Sequence, residues 1–345
     1  MQRSPRAHSG RNVITLNASM LDRCDRQQIE KAIRRVVRNV RFEFLRQERA
    51  IRLLGPDTYY HALDPHLPDA LKRFDPQIAV DDILSYRSHG DLFDLCLEDT
   101  WSGCLIAKHL RRCRQNDNLI IIHLDDHTDM MSTLLECSHE GTLVDPTTDK
   151  PFDPKIPADW ETSIYSGSVS IGCFITPFYF GNWRTHVRHL NNAAGASARS
   201  CGVNKEPCSY DLIPRKRFAA IQLSDVHEAA NAGSYVVSSQ CEEILDAMPP
   251  GRVIVHIDLD YFINDFNGNP RQGAYIPTPA LIEEGRRKLD HFFEVLRTRR
   301  VNIDRWIIAT SPGFCSACHW AWLLNAIAEE IRGYHHFRPK LPCAF

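Results

Sequence analysis

Two short stretches of this chain concentrate side chains able to bind a cation. In the first, Ile120-Ile121-Ile122-His123-Leu124 runs into Asp125-Asp126-His127-Thr128-Asp129. In the second, Val253-Ile254-Val255-His256-Ile257 runs into Asp258-Leu259-Asp260. Runs rich in β-branched residues favour strands, and strand side chains alternate between faces. Asp125, His127 and Asp129 therefore project from one side, and Asp258 and Asp260 share a side in the same way. Carboxylates and an imidazole crowded at a strand end are costly to desolvate unless a positive charge sits among them. A divalent metal supplies that charge. Four Asp and one His form a hard, oxygen-rich set that suits Mn²⁺ better than a structural zinc. Asp125 and Asp258 can each bridge two ions, with His127 and Asp260 on one and Asp129 on the other. Water held between two such ions ionises near neutral pH and attacks an electrophilic carbon. One acidic strand end has a plainer explanation, an N-cap or a salt bridge. Two ends of matching form weigh against it.

The elements around these stretches place them in a sheet. Asp91 to Leu97 reads as a short strand, Trp101 to Arg114 as a helix, and Ile120 to Leu124 as the next strand. Strand–helix–strand alternation predicts a parallel sheet with crossover helices, and such sheets bind ligands beyond the C-terminal ends of their strands. Arg217 to Leu223 and Arg305 to Thr310 are further strand candidates. Thr278 to Leu296 reads as a helix with Pro279 in its first turn, and Trp320 to Ile331 as a closing helix. Upstream, Ile29, Ile33, Val36, Val37, Val40, Phe44 and Leu45 recur at helical spacing, which predicts one helix over Asp25 to Leu54. Its arginines (Arg34, Arg35, Arg38, Arg41, Arg46 and Arg49) form either a solvated face or a surface for an acidic partner. Residues 1–20 read as a flexible N-terminus. Residues 21–345 read as a single α/β domain with a helical N-terminal extension. Asn191 to Pro214, rich in Ala, Gly, Ser and Asn, reads as an insertion.

Composition sets outer bounds. The chain has 345 residues, 43% hydrophobic and 24% charged, which describes an ordinary globular protein with a large core. A net charge of −2 gives no electrostatic case for binding nucleic acid or an anionic membrane. Met1 to Arg11 is polar and basic, unlike a secretory signal, and no apolar run reaches the ~18 residues of a transmembrane helix. A cytoplasmic protein with reduced thiols is therefore expected. Its twelve cysteines, the lone Cys315-Ser316-Ala317-Cys318 pair included, are expected to be incidental.

The acid motifs carry a resemblance. Asp125-Asp126-His127-Thr128-Asp129 resembles the Asp-Ala-His-x-Asp motif of the arginase and agmatinase superfamily, the ureohydrolases. His256-Ile257-Asp258-Leu259-Asp260 resembles its later Ser-x-Asp-x-Asp motif, in the right order and at about the right separation. Leu97-Glu98-Asp99, Ser168-Val169-Ser170-Ile171-Gly172 and Thr310-Ser311-Pro312-Gly313-Phe314 look like a divergent branch that includes the peptide arginases. Those enzymes convert arginine side chains of ribosomally made precursor peptides to ornithine and urea. The resemblance implies a three-layer α/β/α sandwich with a mainly parallel sheet of about eight strands. It also implies two Mn²⁺ ions held by Asp125, His127, Asp129, Asp258 and Asp260, and a peptide substrate. Ureohydrolases often assemble into homo-oligomers, but nothing in the sequence specifies an interface.

Three departures from the family pattern stand out. Thr100, in Glu98-Asp99-Thr100, occupies the place of a metal-binding His, so Glu98 or Asp99 substitutes or the ion is held more weakly. Ala309-Thr310-Ser311-Pro312-Gly313 lacks the Glu that grips a free guanidinium. No loop for a free amino acid's α-amino and α-carboxylate groups is recognisable, which fits an arginine within a peptide. A general acid must protonate the leaving amine, and His139 and His319 are the candidates. Asp126 points to the opposite face, where packing or a hydrogen bond to the ligand shell is expected. Two alternatives stay open: a metal-dependent amide hydrolase resembling the deacetylases, and a non-catalytic peptide-binding relative.

Overall fold

The computed structural model describes residues 13–23, 25–74, 77–111, 113–114, 117–138, 140–225, 231–269 and 271–336. It divides into two compact units, each discontinuous in sequence. The larger takes the described residues of Thr58–Thr128, Asn182–Asn204 and Leu223–Phe345, and the smaller those of Met1–Asp57, Asp129–Gly181 and Lys205–Gln222.

A nine-stranded sheet organises the larger unit. In chain order its strands are β1 (Arg87–His89), β2 (Asp94–Cys96), β3 (Asn118–Leu124), β4 (Arg184–Leu190), β5 (Arg199–Lys205), β6 (Ile221–Ser224), β7 (Gly233–Ser238), β8 (Arg252–Asp258) and β9 (Arg305–Ala309). Their spatial order is β6-β5-β7-β4-β3-β8-β9-β2-β1. The six from β7 to β2 are joined by parallel ladders. Antiparallel β5 and β1 flank them. The fold is therefore α/β with a mixed, mostly parallel sheet.

Alternation decides what each sheet face does. Ile120, Ile122 and Leu124 of β3, with Val253, Val255 and Ile257 of β8, join a buried apolar cluster with Leu289, Phe293, Leu323 and Ile327. Those last four lie on the helices Pro279–Thr298 and Trp320–His336. Each fully buried side chain of this size contributes about 1.5–3 kcal/mol. The intervening residues, His123 and His256 among them, face the other way. There Ser102, on the helix Trp101–His109, lies 2.9 Å from His256 Nε2.

The smaller unit departs from expectation. The helix expected over Asp25 to Leu54 is confined to Arg26–Val36, capped by a reciprocal Asp25–Gln28 box. Asn39, at φ 54°, turns the chain into antiparallel strands Val40–Leu45 and Ala50–Pro56. Val13–Thr15 adds a third strand and Ala18–Leu21 a short helix, so ordered structure begins inside the segment read as flexible. Residues 1–12 of that segment lie outside the described residues. The expected insertion is also strand-forming, with Arg199–Lys205 in the large sheet and Cys208–Tyr210 paired to Ile213–Phe218. The arginines from Arg34 to Arg49 are exposed, as both a solvated face and a partner surface require. Every described cysteine is a free thiol. No described helix is long and apolar enough to cross a membrane.

One glycine tests the sheet. Gly233 has φ 145°, and a Cβ there would sit 1.8 Å from the Thr185 carbonyl oxygen on the neighbouring strand. Backbone cannot move aside as a side-chain tip can. Gly233→Ala is expected to destabilise the protein by about 3 kcal/mol or more, whereas Gly273→Ala, with open space around it, should stay within about 0.5 kcal/mol. Denaturant midpoints of the two variants check this.

Candidate metal centre

The two acid motifs meet because β3 and β8 are neighbours in register. His123 pairs with His256 and Leu124 with Ile257, and Asp125 and Asp258 come next. Each motif then repeats one local device. The Asp125 carboxylate accepts the His127 backbone N–H at 2.5 Å, and the Asp258 carboxylate accepts that of Asp260 at 3.0 Å. Such Asx turns bend the chain sharply off the strand and pin the first carboxylate. The Asp126 N–H donates to Asp260 Oδ1 at 3.2 Å and ties the motifs together.

Asp125, His127 and Asp260 form the first group of converging ligand atoms, all within 4.8 Å of one another. His127 Nδ1 lies 2.9 Å from Asp260 Oδ2 and 3.4 Å from Asp125 Oδ1. Donors about 2.1 Å from one octahedral ion sit about 3 Å apart when adjacent, so this spacing fits a shared divalent ion. Asp125, Asp258 and Asp260 are almost fully buried, whereas His127 is half-exposed, its Nε2 3.1 Å from Asn267 Oδ1 and its ring edge-on to Phe314. Asp258 accepts a hydrogen bond from the Ser311 hydroxyl.

A second group, His123, Asp125 and His256, was not foreseen. It belongs to a row of fully buried imidazoles: His189 on β4 pairs with His123, and His123 with His256. Ring centroids are 4.7 and 5.1 Å apart along the row. Burial pushes the pKa of His189 down to about 4 and that of His256 to about 3, and holds His123 well below the ordinary value, so all three are neutral near pH 7. Their partners fix the tautomers, since a carbonyl only accepts. His189 Nε2–H donates to the Asp125 carbonyl at 2.9 Å, and its Nδ1 accepts from the Tyr235 hydroxyl at 2.7 Å. His123 Nε2–H donates to the His127 carbonyl at 3.2 Å. His123 Nδ1 must then accept from His256 Nδ1–H at 3.0 Å, and His256 Nε2 from the Ser102 hydroxyl. The Asn191 amide adds a second bond to the Asp125 carbonyl at 3.1 Å. The row thus holds the backbone of two ligand residues from beneath.

The remaining expected residues fall as follows. Asp129 belongs to the smaller unit, where it is buried at φ 50° and its carbonyl accepts from the Ile175 N–H; it is in neither ligand group. Glu98, in the segment that lacks a metal-binding His, is buried and held by the Tyr60 hydroxyl at 2.9 Å, His61 Nε2 at 2.9 Å and the Thr100 hydroxyl at 3.1 Å. Asp126 accepts from the Asn192 amide at 2.8 Å and the Asn264 amide at 3.4 Å. Burial and nearby Asp260 raise its pKa. His319 is fully buried, with Nδ1 accepting from the Trp322 indole at 3.2 Å, and burial lowers its pKa. His139 lies outside the described residues.

Period-2 alternation could have found His123 and His256, each two residues before a ligand. His189 carried no such mark.

The neutral row makes stability depend on pH. A His whose native pKa lies below its unfolded value binds its proton more readily when unfolded, so acid favours unfolding. Full stability from His189 and His256 is present above the ordinary pKa of 6.5 and is lost as pH falls towards about 4 and 3. In chelator-treated protein the thermal midpoint should fall over that window, and His256→Gln should flatten the slope.

Among known proteins, the chain matches no family model and no curated sequence.

Proposed function

We propose that this protein is a metal-dependent hydrolase that removes the amidino group of arginine residues in a precursor peptide, leaving ornithine and releasing urea. The observation that carries this reading is the convergence of Asp125, His127 and Asp260 from two motifs of ureohydrolase form at the ends of adjacent parallel strands. Asp125, His127 and Asp260 would hold one Mn²⁺, and Asp258 would serve a second. Bound there, the ions would polarise the guanidinium carbon's surroundings and lower the pKa of water.

The protein's own residues do the rest. The Asx turns pin the Asp125 and Asp258 carboxylates at the strand ends, where an incoming side chain would arrive. The buried imidazoles keep the backbone carbonyls of Asp125 and His127 in place, so the donors are organised before an ion binds. Phe314 and Asn267 limit the swing of His127. His139 and His319 are the candidates for protonating the leaving amine.

One observation favours a second reading. The converging group of two Asp and one His is complete for a single ion, as a deacetylase-like amide hydrolase needs. Metal stoichiometry separates the two, with two Mn²⁺ per chain supporting the ureohydrolase and one Zn²⁺ the amide hydrolase.

Incubation of Mn²⁺-loaded protein with arginine-containing precursor peptides should lower peptide mass by ~42 Da per converted arginine, with urea released. Asp258→Asn should abolish the change and reduce bound Mn²⁺. Unchanged masses across several Arg-rich peptides, with metal bound, sink the proposal.

A further inference from the structure

Among the described residues, nine non-glycine residues have positive φ. Arg49, Asp149, Ala247, Asn267 and Arg300 are exposed turn residues, Arg215 is exposed within the strand Ile213–Phe218, and Asn39 is half-buried. Only Asp129 and Ser311 among them are buried. Ser311 has φ 47°, a left-handed conformation that a side chain disfavours and glycine accepts. It follows β9, and the loop around it is anchored tightly. Thr310 Oγ1 and the Ser311 N–H both donate to the Leu97 carbonyl at 3.1 Å, and the Ser311 carbonyl accepts from the Phe314 and Cys315 N–H groups at 3.0 Å. Two residues on, Gly313 packs so closely that a Cβ would lie 2.4 Å from the Tyr60 carbonyl oxygen. A turn with no other task would be served better by glycine at 311 as well. What serine adds is a hydroxyl, and that hydroxyl donates to Asp258 Oδ2. Asp258 Oδ1 already accepts from the Asp260 N–H. The carboxylate is therefore gripped at both oxygens, and its plane is fixed.

We propose that Ser311 is a positioning residue for the metal centre: it keeps a strained backbone so that its hydroxyl can orient the Asp258 carboxylate, exchanging fold stability for metal affinity. This rests on the metal-centre reading but needs no particular substrate. Stability and affinity are expected to move in opposite directions, which a residue needed only for folding would not produce.

The test uses the full chain and two variants. After chelation, thermal midpoints are recorded; Mn²⁺ and, separately, Zn²⁺ affinities are then measured by titration calorimetry. Ser311→Gly relieves the strain and removes the hydroxyl, so its midpoint should rise while affinity for the better-bound ion falls about tenfold or more, the usual effect of losing a hydrogen bond to a ligand. Ser311→Ala removes the hydroxyl and keeps the strain, so affinity should fall equally with no rise in midpoint. Wild-type affinity in either variant overturns the proposal, as does a Ser311→Gly protein that loses stability together with affinity. A wild-type protein that binds neither ion overturns the metal-centre reading with it. Tight, hydroxyl-dependent binding without any change in peptide mass leaves this inference standing and removes only the proposed reaction.

Discussion

Mutual repulsion among carboxylates at the ends of two neighbouring strands is the constraint on which the rest of the large unit depends. Asp125 and Asp260 offer oxygens within 4.8 Å of one another while almost fully buried. At that separation like charges repel by about 3 kcal/mol at an effective dielectric of 20. Hydrogen bonds from the His127, Asp260 and Asp126 N–H groups and the Ser311 hydroxyl offset much of the desolvation. None of them carries charge, so none cancels the repulsion. A divalent ion would, and the donor set has the chemistry to hold one.

Much of this arrangement can be read in the sequence because it follows from strand geometry alone. Ile120–Leu124 and Val253–Ile257 announce buried parallel strands, and alternation sorts their successors onto one face. What escapes the sequence is fixed by contacts distant in the chain. Strand β4 reads Arg-Thr-His-Val-Arg-His-Leu and looks too charged for the middle of a sheet. It is tolerated because Arg188 donates to the Ile244, Asp246 and Ala247 carbonyls and His189 to that of Asp125. Burial there is satisfied by hydrogen bonding rather than by apolar character. Ser311 is equally unmarked, since its partner lies 53 residues away and its φ leaves no trace in composition.

The N-terminal misreading has a different cause. Val36, Val37, Val40 and Phe44 fit a helical period, but Phe42 and Phe44, or Ile51 and Leu53, fit a period of two equally well. The reversal at Asn39 decides between them, and asparagine is among the few residues that tolerate that conformation. The Asp25–Gln28 capping box, by contrast, is a local signal and marks the true helix start.

The imidazole row explains how such a site can be held open for an ion. Carboxylates left to themselves would splay apart or draw in a lysine or arginine. Here the two backbone carbonyls nearest the ligands are bonded from beneath by neutral imidazole N–H groups. Neutrality is essential to that role. A protonated imidazole beside Asp125 would itself satisfy the carboxylates and compete with a metal for them. Full burial holds His123, His189 and His256 neutral, so the row supplies rigidity without charge. The row therefore brings no positive charge of its own to the carboxylates. That is the physical reason a divalent ion suits the ends of β3 and β8.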